Sequence, residues 1–309
     1  MYHSILNQIA NTIFINIQHQ ENVGLLNGKT GTALFLYNYA RYTNNEMYRE
    51  LADELLDQIY ENLNKHVDKS FFNGLAGIAY GVNYIIEKEF VEIDESDGDI
   101  LEEIDSELSQ INEESFLLEL ESDLPLFSKG LYFLQRKDKY PLPKIAEECF
   151  FFLTSHKQEI PLSYINSILY FANKGLSLDE VDKNISDKIL EILYNQTYKI
   201  LSEQTYNDSD IYTLQRNIGN ILNVKIKEKW SELRLNYNNK ELDLLEQSWI
   251  HFIYNYDNDE TLSSNESELQ ELLKNIIQDL THEDMNLYNG LVGLGLELIR
   301  LSKNSNLES

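Results

Sequence analysis

The segment LNGKTGTALFL, residues 26–36, decides the fold, because its pattern returns as FNGLAGIAYGV at 72–82 and YNGLVGLGLEL at 288–298. Each copy is Asn-Gly-x-x-Gly running into an apolar stretch. Nine of the chain's 13 glycines lie in or beside these three segments, so glycine is a positional device here and not general flexibility. Gly28 and Gly74 are 46 residues apart, and Gly28 and Gly290 are 262 apart. Six intervals over that span average about 44 residues, the length of a helix-turn-helix unit with its connections. Seven units are implied.

The first unit shows what each contains. TALFLYNYARYT, from Thr32, reads as an almost wholly apolar helix that Asn44-Asn45 breaks. In the next helix Met47, Leu51, Leu55, Ile59 and Leu63 recur every four residues, leaving Glu50, Asp53, Glu54, Asp57 and Glu61 for water. One buried helix alternates with one amphipathic helix. Inner helices closed in a ring and wrapped by outer helices give this pattern, as does an open helical solenoid. Glycines at the starts of the inner helices favour the ring, where neighbouring turns crowd at one end. No alternating or β-branched strand precedes the glycine segments, so a nucleotide-binding loop is not indicated.

The chain has 309 residues, 42% of them hydrophobic, enough for a large core, and is expected to form a single domain over 1–309. No apolar run is long enough to span a bilayer, and the first twenty residues lack both a basic start and a small-residue cleavage site, so a cytoplasmic location is expected. The single cysteine, Cys149, sits among aromatics and reads as a buried, inert thiol.

Charge narrows the partners. Acidic residues outnumber basic ones 52 to 25, for a net charge of −27, which disfavours nucleic acid and anionic membranes. Residues 89–128 hold fifteen Asp and Glu and no Lys or Arg. That stretch reads either as a solvated helix and loop or as a surface for a basic partner. A calcium loop at DESDGD fails on spacing, since Gly98 at the sixth position would make Ile93 the first ligand.

Asn-Gly-x-x-Gly before an inner helix, repeated through the chain and ending in LYNGLVGLGLELIRL (287–301), resembles the lanthionine synthetase C-like family of peptide cyclases. The resemblance is clearest at residues 24–90, in DLPLFSKGLYFLQR from Asp123 and at 286–301, and faint from about 160 to 280. It implies an all-α double α-toroid with about seven inner and seven outer helices. It also implies work on ribosomally made peptides of the lantibiotic type, with a precursor peptide or a peptide-modifying enzyme as partner.

Members typically hold one zinc that activates a peptide cysteine thiolate for addition to a dehydrated Ser or Thr, which requires a cation that accepts sulfur and imidazole. This chain departs from the pattern. Leu214, in TLQRNIG (213–219), stands where the resemblance places the first cysteine, and Asp243 and Leu244 stand at its Cys-His pair. No metal ligands and no cofactor are therefore expected. Asp123 matches an aspartate that the family uses in proton handling; its other reading is a helix N-terminal acid just before Pro125. The family's fourth-unit histidine falls in PLSYINSILYF, where Ser163 or Tyr164 stands. Asp123 and Tyr164 are thus the catalytic candidates, while Asn27, Gly28, Asn73, Gly74, Tyr288, Asn289 and Gly290 are the binding candidates. Two functions follow: a pseudoenzyme that binds a peptide or partner on the toroid rim, or a metal-independent cyclase relying on proximity.

Overall fold

The computed structural model describes residues 2–63, 68–92, 100–136, 141–203, 206–233, 242–255 and 266–305. Fifteen α-helices and no strand occur among them. The DESDGD segment, with Ile93, lies outside the described residues. Backbone proximity divides the chain into two compact units, one of residues 1–68, 73–94 and 243–309, the other of 69–72 and 95–242.

Unit 1 opens with α1 (His3–Asn16), which buries Ile5, Leu6, Ile9, Ala10 and Ile13 at helical spacing. The first glycine motif then starts α2 (Lys29–Thr43), buried continuously from Thr30 to Ala40. Asn44 ends α2 in a left-handed conformation at φ 52°, which Asn tolerates well. Then α3 (Glu46–Leu63) packs along α2 and buries only one stripe, Tyr48, Ala52, Leu55 and Ile59. The second motif starts α4 (Leu75–Glu87), buried on nearly every side. The alternation expected from periodicity is thus present in successive helices.

Helix α4 stops in a way its sequence does not favour. Glu89 follows at φ 54°, where the Phe90 N–H bonds the Ile85 carbonyl at 3.1 Å and the Glu89 N–H bonds Ile86 at 2.9 Å. A left-handed residue other than Gly costs about 1–2 kcal/mol, and Glu lacks the short side chain that helps Asn there. Glu89→Gly should therefore raise stability by roughly 0.5–1 kcal/mol, less than the strain relieved because glycine loses more entropy on folding. Urea denaturation checks this, and a loss of stability would contradict the strain argument.

Unit 2 contains α5 (Glu102–Leu108), α6 (Glu113–Leu120), α7 (Ser128–Gln135), α8 (Leu142–Ser155), α9 (Leu162–Ser177), α10 (Lys183–Glu203), α11 (Asp208–Gly219) and α12 (Val224–Ser231). Capping boxes set two of the starts, Asn112 with Ser115 for α6 and Asn207 with Asp210 for α11. The centre is α9, buried from Tyr164 through Leu169 and packed against α7, α10 and α11. Its neighbour α10 is again one-sided, burying Ile189, Leu190, Leu193, Thr197 and Ile200.

The chain then returns to unit 1 with α13 (Leu244–Tyr254), α14 (Glu266–Gln278) and α15 (Leu291–Ser305), the last started by the third glycine motif. Helix α15 packs on α1, α2 and α13. A Cβ on Gly295 would collide with the Phe35 ring, so glycine is what lets α15 cross α2 at this distance.

Candidate functional site

All three glycine motifs lie in unit 1, and they converge. The Tyr288 N–H bonds the Leu26 carbonyl at 2.8 Å, and the Asn286 amide donates to Asn27 Oδ1. Gln20 Nε2 donates to Asn286 Oδ1 at 3.0 Å, while the Thr32 hydroxyl donates to Gln20 Oε1 at 2.9 Å. The second motif joins through Gly24, where an added Cβ would lie 2.6 Å from the Asn73 Cα. The motifs also fold their loops alike. The Lys29 N–H reaches the Asn22 carbonyl at 2.9 Å, and the Leu75 N–H reaches that of Asp68 at 2.7 Å, each seven residues back.

Seen this way, the binding candidates divide by role. Gly28, Gly74 and Gly290 are buried and act as spacers. Cβ atoms on Gly28 and Gly290 would sit 2.6 and 2.5 Å from the carbonyls of Asn22 and Asn286. Asn27, Asn73, Tyr288 and Asn289 are partly exposed, so they are the members able to meet a ligand. Tyr288 lies against Trp249, with ring centroids 5.1 Å apart. Behind the seam, Glu297 is a buried carboxylate bound by Arg300 (2.7 and 2.8 Å) and by His251 Nδ1 (2.9 Å). Burial would raise its pKa, but the bonds from Arg300 and His251 outweigh this and hold it below the usual range.

The acid–base candidates lie in unit 2. Tyr164 is fully buried on α9, and its hydroxyl donates to Glu119 Oε2 at 2.6 Å. Burial first, then the Glu119 carboxylate, pushes the phenol well above its ordinary pKa, so it holds its proton. Asp123 is exposed in the turn between α6 and α7, five residues ahead of Ser128, and forms no hydrogen bond with Tyr164. The carboxylate influenced by the backbone N–H groups of Ser128 and Lys129, at the start of α7, is Glu119.

Sequence reasoning missed Glu119 and Lys129. Burial lifts the Glu119 carboxyl to about 7, against the lowering effect of Tyr164, Lys129 and those N–H groups. Its second oxygen makes no hydrogen bond among the described residues. Burial likewise lowers the Lys129 ammonium to about 8, opposed by Glu119, and its Nζ donates to the Gln110 carbonyl at 3.0 Å. Cys149 is buried nearby, its thiol pushed up first by burial and then by Glu119. A signal for Glu119 existed: it stands three residues after Phe116, on the face that stacks on Phe127 and Phe152.

Of the positions expected to replace the zinc ligands, two carry hydrocarbon and the third a carboxylate engaged in a helix cap. Leu214 is buried hydrocarbon on α11, and Leu244 is buried at the start of α13. The Asp243 carboxylate caps α13, accepting the Leu245 N–H at 2.9 Å. Among the described residues no three of His, Cys, Asp and Glu stand close enough to hold a metal ion. These residues do not fit the family's zinc.

The described residues are all-helical, and in unit 1 the helices begun by glycine motifs are buried on nearly all sides while α3 is buried on one. The family model described as lanthionine synthetase C-like protein matches residues 19–121. Over those residues, the third of the chain that carries the first two motifs, the chain is similar to that family. No curated protein and no solved structure matches the chain. Among the described residues no helix is long and apolar enough to cross a membrane.

Proposed function

We propose that the protein acts in the modification of ribosomally made peptides, as a zinc-free, peptide- or partner-binding member of the lanthionine synthetase C-like family built as a double α-toroid. The observation that carries this reading is the state of the replaced ligand positions, Leu214 and Leu244 buried and Asp243 committed to a helix cap. A thiolate is activated by a borderline-soft cation held in a defined donor set, and these side chains do not supply one. The partly exposed Asn27, Asn73, Tyr288 and Asn289 offer amide and phenol groups suited to an extended peptide. A net charge of −27 selects a cationic one.

The alternative, a metal-independent cyclase using Asp123 and Tyr164, is disfavoured because Tyr164 is buried and its hydroxyl is bound to Glu119. Purified protein should carry no stoichiometric zinc by mass spectrometry and should not cyclise a dehydrated, cysteine-containing peptide. Ring formation by zinc-free protein would establish the alternative. A basic peptide should associate more slowly as salt rises. Glu102→Lys with Glu103→Lys, both exposed at the start of α5, should slow association at low salt several-fold within the ~10-fold range of steering effects. Unchanged rates would remove that surface from the recognition site.

A further inference from the structure

Helix α6 is held to unit 2 by two side chains. Of its eight residues only Phe116 and Glu119 are buried, three positions apart on one face, while Leu117 and Leu118 stand in solvent. Phe116 is a sound anchor, its ring stacked on Phe152 of α8 and on Phe127 beside α7, with centroids 4.6 and 5.9 Å away. Glu119 is a poor one. A carboxylate taken out of water needs donors for both oxygens. Here the Tyr164 hydroxyl serves Oε2, while Oε1 has no hydrogen bond among the described residues.

The groups that face Glu119 come from three other helices. From α7 come its first backbone N–H groups and Lys129, from α8 comes Cys149, and from α9 Tyr164. Among the described residues Lys129 makes no ion pair within 4.0 Å; its Nζ donates instead to the Gln110 carbonyl, in the connection that leads into α6. Lys69 opposes Lys129 and is paired with Glu107 of α5 at 3.2 Å. An ionised Glu119 is thus enclosed with too few donors, and moving α6 outward returns it to water. The neutral acid carries no such penalty, and burial holds the group protonated up to about 7. Cys149 marks the position of α6 from below. It is fully buried, three residues before Phe152 on the same face of α8, and close enough to Glu119 for the carboxylate to raise its thiol pKa.

We propose that α6 is a latch with Glu119 as its trigger, packed while the acid is protonated and opening transiently from α7, α8 and α9 as pH rises to neutrality. Opening uncovers Phe127, Cys149 and Tyr164. The sign follows from linkage. The carboxyl titrates higher in the closed form than in the open one, so the closed form is favoured fully at low pH and loses that preference as pH rises through 7. Lys129 acts in the opposite sense, but its own lowered pKa of about 8 confines that effect to higher pH. The device does not depend on the peptide-binding reading.

The test uses the full chain, whose one cysteine makes a thiol reagent report on Cys149 alone. A pyridyl disulfide modifies it in the folded protein, and the rate in urea-unfolded protein at the same pH removes intrinsic thiol reactivity, leaving a protection factor. Protection should fall by about tenfold or more between pH 5 and pH 8 and stay flat over that range in Glu119→Gln. Low urea should not change it, as expected of a local opening. Hydrogen exchange, corrected for intrinsic rates, should show the α6 amides opening with the same pH dependence while those of α9 stay protected. Protection independent of pH, an equal fall in Glu119→Gln, or opening of α6 only together with α9 would each overturn the proposal.

Discussion

Gly31→Ala and Gly293→Ala will each lower stability by roughly 3 kcal/mol, while Gly219→Ala will leave it unchanged or raise it by a few tenths. Gly31 and Gly293 are the second glycines of the first and last motifs. A Cβ on either would come well within 3.0 Å of a backbone carbonyl six residues earlier, that of Leu25 or Leu287. Backbone cannot step aside as a flexible side chain can. Moving Leu25 disturbs the adjoining Leu26 carbonyl, which accepts the Tyr288 N–H, and moving Leu287 disturbs the same bond from the other side. The variants should therefore weaken the seam as well as their own loops. At Gly219 an added Cβ meets nothing within 4 Å. Urea denaturation of the three variants is the measurement, and similar midpoints for all three would refute the crowding argument.

Glu119→Gln will stabilise the protein by about 2 kcal/mol at pH 8 and by much less at pH 5. The folded carboxyl titrates at about 7, above its unfolded value, so the neutral form is the one the fold prefers. Its contribution to stability is complete below the unfolded pKa and is lost as pH rises through 7. Glutamine keeps an oxygen to accept the Tyr164 hydroxyl and carries no charge at any pH. Lys129 pulls the other way: removing the carboxylate deprives its buried ammonium of an attraction, which trims the gain. Subtracting wild-type from variant stability removes the general effect of net charge on pH dependence. A difference that stays flat between pH 5 and 8 would show that Glu119 is not a buried, titrating acid.

Much of the fold was legible because it rests on local pattern. Glycine spacing located the starts of α2, α4 and α15, and four-residue periodicity separated the buried α2 from the one-sided α3. The residues of the seam other than the motifs were not legible. Gln20 and Asn286 are 266 positions apart and lie in no repeat, so only the folded chain brings them together. Glu119 was hidden among fifteen acids, since a run of like charge reads as a solvated face and burial of one member depends on what packs there. Asp123 was marked by resemblance alone, and the turn that holds it leaves it exposed.

The bond from Tyr288 to Leu26 also sets an order of events during synthesis. Unit 1 is assembled from both ends of the chain, and the continuous stretch from residue 95 to 242 emerges between them. At ~5–20 residues per second, the first motif waits on the order of ten seconds or more for the last to leave the ribosome. During that wait the largely apolar α2 has no α15 to cover it. Unit 2, nearly continuous in sequence, can be complete by then, whereas unit 1 closes only through contacts of very long sequence separation, the slowest kind to form. The newly made chain thus exposes an aromatic-rich helix for seconds, and that interval is where chaperone capture or aggregation will compete with folding.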